Sequence, residues 1–260
     1  MPLTLIEQNK SREEQGFLPL SETKPNICTL NVAEMFANTI QGEGVNTGHP
    51  ATFLRLQGCT LKCVWCDTLG VWPNGSPYHS GEIFKLLEDN KVIEELRRGQ
   101  HLVLTGGSPL KQQEALITFI KLFKSKYGFI PYLEIENEAV LIPNPELIPL
   151  IDCWNNSPKL SNSGMKRTVR YKPDVLHKLA NLPNSWFKFV IANESDLNEI
   201  IDDFINEGII NRKQVILMPE GQTQEELSLK REWVADQCVK HGFKFSDRLH
   251  IAIWNKKTGV

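Results

Sequence analysis

The sequence predicts one α/β domain on a parallel sheet, either open or closed part-way into a barrel. Three observations predict it. Short apolar runs of strand length recur along the chain. Stretches of helical periodicity lie between them. Residues capable of chemistry gather where the runs end, which is where α/β folds bind their ligands.

Residues 1–28 are polar and unpatterned, and they read as an N-terminal extension, draped on the surface or partly disordered, ahead of a domain at 29–260. The run 51–58, ATFLRLQG, alternates and closes at Gly58, as a strand does. At 80–98, Ile83, Leu86, Leu87, Val92, Ile93 and Leu96 fall at helical spacing behind Ser80 as a cap. HLVLTGG at 101–107 is the next strand, and 109–128 is a helix opened by Pro109 and closed by Gly128. YLEIE (132–136), WFKFVIA (186–192) and QVILMPEG (214–221) repeat the strand form, and 194–208 and 223–242 are helices ending in glycine. Strands alternating with helices imply parallel pairing, and short apolar runs suit strands buried on both faces.

With 260 residues, 41% hydrophobic and 23% charged, the chain can bury an ordinary core. Its 29 basic and 31 acidic side chains leave a net charge of −2, so a nucleic-acid polymer is not the expected main ligand. No apolar run approaches the ~20 residues of a membrane span, and the first residues lack the pattern of a signal peptide. The expected compartment is the cytoplasm, where thiols stay reduced. The six cysteines are therefore expected to be ligands, reactive groups or core filler.

Three of the six, Cys59, Cys63 and Cys66, fall within eight residues. Zinc would need a fourth ligand, for which Asp67 and His79 are candidates. A four-iron cluster held by three thiolates would leave one iron open to a small molecule. Cys28, Cys153 and Cys238 match neither pattern and read as core. Arg55 alternates with Leu54 and Leu56 on a strand that looks buried, so it needs an anionic partner, either an internal acid or a ligand. The IQGEG segment at 40–44 lets backbone approach a planar ligand, or forms a simple turn.

The spacing C-x3-C-x-φ-C, with Trp65 at the aromatic position, resembles the signature of the radical S-adenosylmethionine (SAM) enzymes. The block 33–68 around it, AEMFANTIQGEGVNTGHPATFLRLQGCTLKCVWCDT, closely resembles the 7-carboxy-7-deazaguanine synthase family. LTGGSP (104–109), SPKLSNSG (157–164), LMPEG (217–221) and the closing IAIWNKKTGV are similar to stretches of its bacterial members. The resemblance covers residues 29–260. It implies a partial (β/α) barrel of the radical SAM type, mostly parallel. It also implies a lyase that contracts the ring of 6-carboxy-5,6,7,8-tetrahydropterin to 7-carboxy-7-deazaguanine, on a route such as that to queuosine. Rival functions are a radical SAM activase of a glycyl-radical partner and a non-catalytic iron–sulfur or zinc module.

The same resemblance assigns residues. Cys59, Cys63 and Cys66 hold one 4Fe–4S cluster, whose open iron takes SAM. Thr68 falls at a Mg2+ ligand, unless it merely caps a turn. Ile40, Gln41, Gly42, Thr105 and the chain end, Val260, meet the substrate, and Arg55 meets its carboxylate. SAM is met by Trp65, Asp67, Gly107, Ser108, Ser157, Pro158, Lys159, Met218, Pro219, Glu220 and Gly221. Ser108 is a departure, because the family pattern is Gly-Gly-Glu-Pro and the glutamate meets the SAM amino group. Glu134 or Glu136, on the next strand, is expected to restore that acid. The tail WNKKTGV departs too, so contacts at Val260 are less secured by the pattern. A flavodoxin-like or ferredoxin-like reductant and a homodimer are the implied partners, with neither nucleic acid nor membrane.

Overall fold

The computed structural model describes residues 2–17, 28–257 and 259. In chain order the strands are β1 (Leu3–Ile6), β2 (Thr29–Ile40), β3 (Pro50–Leu56), β4 (Ser76–His79), β5 (His101–Gly106), β6 (Leu133–Asn137), β7 (Cys153–Asn156), β8 (Ser185–Ile191), β9 (Val215–Pro219) and β10 (Lys244–Phe245). The helices are α1 (Ser80–Asp89), α2 (Val92–Arg97), α3 (Gln113–Tyr127), α4 (Arg167–Arg170), α5 (Pro173–Ala180), α6 (Glu194–Ile200), α7 (Gln224–His241) and α8 (Leu249–Trp254).

All ten strands join one sheet, in the order β1-β2-β3-β5-β6-β7-β8-β9-β10, with β4 paired to β2. From β3 to β10 every pairing is parallel, and β2 runs antiparallel to β1, β3 and β4. The two ends do not pair, so the sheet is an unclosed, partial barrel.

Side-chain parity explains what lies inside. Successive residues of a strand face opposite sides. Leu54 and Leu56, Leu102 and Leu104, Leu133 and Ile135, Phe187 and Phe189, and Val215 and Leu217 belong to one core cluster, shared with the apolar faces of α1, α3 and α5. The opposite parity places Arg55, Thr105, Glu134, Glu136, Lys188 and Met218 on the inner face, along with Phe53 and Val103, which form a small cluster with Phe36 and Ala51. Burial on both faces is thus real, but one face is largely polar.

The helices differ locally from the sequence expectation. The stretch 80–98 is two helices, because Lys91 takes a left-handed conformation (φ 60°) between them. The cap is His79 rather than Ser80: Glu82 accepts the His79 N–H at 2.8 Å, while Ser80 is buried. Pro109–Gln112 forms a 3-10 turn ahead of α3. Past α6, residues 201–206 continue as a π-helical turn. Of the expected extension, β1 adds an edge strand to β2, and Arg12 reaches Glu82 at 2.7 Å and the Pro77 carbonyl at 2.8 Å. Residues 18–27 lie outside the described residues. No helix among the described residues is long and apolar enough to cross a membrane.

Candidate functional site

The cysteine loop begins where β3 ends, and it lies across the end of β5. Two glycines make that approach possible. A Cβ on Gly106, whose φ is +152°, would sit 2.3 Å from the Leu56 carbonyl oxygen. One on Gly107 would sit 2.5 Å from both the Cys59 Cβ and the Gly58 oxygen. The Ser108 N–H then ties the two strand ends together by donating to Gly58 O at 2.7 Å.

Cys59, Cys63 and Cys66 border one cavity of about 260 Å³ at the C-terminal mouth of the strands. The Leu61 N–H donates to Cys59 Sγ at 3.4 Å, and the Cys66 N–H to Cys63 O at 3.2 Å, closing the loop. Burial pushes the Cys59 thiol up to about 11 and raises Cys63 as well, with Lys159 opposing the rise at both. Such thiols become thiolates when a cationic group neutralises them. Among the described residues no group of three or more His, Cys, Asp or Glu is spaced to hold a single metal ion. The fourth zinc ligands considered from the sequence do not serve either. His79 stands at the start of α1, beside Thr29 Oγ1 at 3.1 Å, and Asp67 is paired with Arg248. Three thiols bordering one cavity are the number that a four-iron cluster with one open iron takes.

The cavity continues inward as a charged lumen. Arg55 donates from Nε to Glu34 at 2.6 Å, so the internal salt bridge exists. Among the described residues its Nη1 and Nη2 make no hydrogen bond, Glu136 and Asp67 act on its charge without one, and the guanidinium lines the cavity. On the neighbouring strands Thr105 Oγ1 donates to Glu136 at 2.7 Å, and Gln41 Nε2 donates to the other Glu136 oxygen at 3.2 Å. Phe36 and Phe53 stack with centroids 4.9 Å apart on the apolar side.

A second ion-pair chain crosses the opposite wall. Glu43 pairs with Lys188 and accepts from Arg248 Nε at 2.9 Å; Arg248 also reaches Asp67 and the Gly221 carbonyl, the latter at 2.6 Å. Burial works against the Glu43 charge, but Lys188 and Arg248 outweigh it and hold the carboxyl well below its usual range. Burial likewise opposes the charges of Asp67, Lys188 and Arg248, and their partners prevail. His250 is pushed down by burial, which Glu43 opposes and Arg248 reinforces. Its imidazole sits where Gly42 has no side chain: a Cβ there would lie 2.1 Å from Nδ1.

Most of the residues picked out by sequence meet in this one cavity. Ile40, Gln41, Gly42, Arg55, Thr105 and Glu136 line it, as do Trp65, Asp67, Thr68, Gly107, Ser157 and Lys159. Met218, Glu220 and Gly221 form the far wall. Lys159 is not a solvated charge: its Nζ donates to Ser157 O at 2.8 Å and lies 5.6 Å from the Trp65 ring. Thr68 accepts turn N–H bonds through its carbonyl, and its hydroxyl lies 3.6 Å from Cys66 Sγ. IQGEG is both a turn and a wall.

Other choices fall elsewhere. Ser108 is fully buried, and it and Glu134, Pro158 and Pro219 are not part of the cavity wall. Glu134 is consumed by His101 Nδ1 at 2.6 Å and Asn155 Nδ2 at 2.8 Å. Val260 lies outside the described residues. Glu43, Lys188, Arg248, His250, Phe36, Phe53 and Glu138 are lining residues that sequence reasoning missed. Lys188 carried a readable signal, a lone cation within WFKFVIA, the same signal that marked Arg55.

Comparison with known proteins agrees with this geometry. A family model described as a 4Fe-4S single cluster domain matches residues 40–133. The 7-carboxy-7-deazaguanine synthase of Pyrobaculum aerophilum is 35% identical over 232 residues, 88% of this chain and 97% of that protein. The enzyme of the same name from Aquifex aeolicus is 39% identical over 199 residues, 76% of this chain and 81% of its own. The crystal structure of QueE from Escherichia coli superposes with a TM-score of 0.62 at 21% identity, covering 85% of this chain and 95% of that one, a likeness of fold.

Proposed function

The chain belongs to the 7-carboxy-7-deazaguanine synthase family, and from that premise we propose how its lumen carries out the family's reaction. The enzyme is a radical SAM lyase with an iron–sulfur cluster and SAM as cofactors. Its substrate in this reading is 6-carboxy-5,6,7,8-tetrahydropterin, which loses ammonia to give 7-carboxy-7-deazaguanine. Cys59, Cys63 and Cys66 would hold the cluster. When bound, cluster and SAM supply a 5′-deoxyadenosyl radical for hydrogen abstraction at C6 of the pterin.

The protein's share is positioning and exclusion of water. Arg55 offers Nη1 and Nη2 to the substrate carboxylate as a two-pronged pair, while Glu34 holds its plane through Nε. Glu136, fixed by Thr105 and Gln41, presents a carboxylate to the N–H groups of the pterin. Phe36 and Phe53 give an apolar wall for a planar ring. Lys159 and Ser157, with Met218, Glu220 and Gly221, bound the space for SAM beside Trp65. Thr68 offers one hydroxyl at the mouth; that fits Mg2+ only as a shared ligand with substrate oxygens and water. A flavodoxin-like or ferredoxin-like reductant, a homodimer and a cytoplasmic setting complete the reading.

One observation carries it: a guanidinium whose Nη1 and Nη2 make no hydrogen bond among the described residues shares a cavity with three thiols. Anaerobic incubation with SAM, reductant and the carboxypterin, followed by mass spectrometry, should give the deazaguanine acid; absence of that mass would sink the substrate assignment. In the same assay Arg55→Ala should raise KM by roughly 10- to 100-fold, the ~1.5–3 kcal/mol of a hydrogen bond to a charged group. Arg55→Lys, which keeps the charge without the fork, should fall between. A KM equal to wild type in Arg55→Ala refutes the carboxylate clamp.

A further inference from the structure

Strand β6 and the residue that follows it set three carboxylates along one inner stripe, Glu134, Glu136 and Glu138, because alternate residues share a face. The first two are satisfied. Glu134 holds His101 and Asn155, and Glu136 holds Thr105 and Gln41. Glu138 is different. It is 3% exposed and lines the cavity. One of its oxygens accepts from Thr60 Oγ1, within the cysteine loop. The other, Oε2, is buried with no hydrogen-bond partner.

A carboxyl oxygen enclosed without a donor is costly, and such a group calls for a partner that completes it. The backbone holds this one in place. Ala139 takes a left-handed conformation, φ +61°, and its N–H donates to Asn137 Oδ1 at 2.8 Å. The Asn137 side chain is itself bonded to Asn156 at 2.8 Å, and its carbonyl accepts the Ser157 N–H at 2.7 Å. A non-glycine residue in that conformation persists where its surroundings over-determine it. Thr60 directly follows Cys59, so its bond to Glu138 places the carboxylate beside the cysteine loop. Lys159 feels the same charge but spends its ammonium on Ser157.

Ser108 Oγ is also buried without a partner, but Ser108 is not on the cavity wall, whereas Glu138 is. We propose that Glu138 is the carboxylate that accepts the amino group of SAM, Thr60 fixing one oxygen and Oε2 receiving the N–H. This rests on the radical SAM reading above. The acid absent at the end of β5 is supplied from the end of β6, just beyond the two glutamates that the sequence pointed to.

The test is calorimetric titration of SAM into anaerobically reconstituted Glu138→Gln, an isosteric change that keeps the acceptor for Thr60 and removes the charge. The expected result is a SAM Kd roughly 10- to 100-fold above wild type, the range of one hydrogen bond to a charged group. Iron and sulfide content and the KM for the pterin should match wild type, and Glu138→Asp should recover part of the affinity. A Kd within about twofold of wild type overturns the assignment. So does a loss of iron in the variant, which would make Glu138 a brace for the cysteine loop. If wild-type holoprotein itself bound no SAM, the radical SAM reading would fail first, so the two failures are separable.

Discussion

Cys63→Ala should yield a folded chain that binds less than a full cluster and forms no detectable product. Cys63 is one of three thiols on the cavity, and no fourth cysteine lines it. A cluster keeps one iron open for SAM only while the other three are held by thiolates. Losing one thiolate removes both the anchor and the neutralising charge at a buried site. Cys238→Ala is the matched control. That thiol is also buried and raised by burial to about 11, but it donates to Lys244 O at 3.3 Å in the outer core. It should keep wild-type iron and turnover. Iron and sulfide analysis, visible absorption and far-ultraviolet circular dichroism on the reconstituted proteins decide it. Wild-type iron and activity in Cys63→Ala would remove the foundation of the mechanism.

The contrast between those two cysteines is legible in the sequence. C-x3-C-x2-C is a local pattern, and the loop closes on itself through local bonds. The same holds for Arg55, whose place on an alternating strand fixes which way it faces. Elements that failed to show themselves lacked such local regularity. In β2, Met35, Phe36 and Ala37 are consecutive and apolar, and Asn38 takes φ 57°, so the two-residue period is interrupted. In β7 the sequence CWNN looks like a loop. It is a buried strand because Asn156 bonds across to Asn137 and to Ser185 Oγ, at 2.8 and 2.9 Å. Tertiary contacts outweighed propensity there.

The choice among Glu134, Glu136 and Glu138 shows a second limit. Parity says that the three share a face, but not how high each stands. Height is set by sheet register, which places Glu134 against Val103, within reach of His101, and leaves Glu138 beyond the last paired residue. The far wall was hidden for a related reason. Arg248 and His250 come from a short C-terminal helical turn with no site-like motif. They enter the lumen because Gly42, on the far side of the sequence, leaves room for an imidazole.

Arg248→Met should therefore destabilise the protein by about 3 kcal/mol at neutral pH, the lower end of the cost of breaking a buried ion pair, since Lys188 stays beside Glu43. For a chain of this size that corresponds to a fall in Tm of roughly 6–12 °C. The pH dependence identifies the cause. The folded Glu43 carboxyl lies well below 4.5, so its stabilising share is complete above the unfolded value and is lost as pH falls through the folded one. Without Arg248 the carboxyl moves back up, and there is less to lose. His250 acts in the same sense: Arg248 disfavours its protonation, so wild type alone bears that repulsion once the imidazole charges in acid. The deficit of the variant should be full near pH 7, begin to narrow below about pH 6.5 as His250 charges, and narrow further below about pH 4.5 as Glu43 is protonated. Urea titrations of both proteins across that range measure it. A deficit of constant size from neutral to acid pH would mean that Arg248 contributes by packing alone, and that the charge chain across the lumen wall is not what holds the C-terminal turn in place.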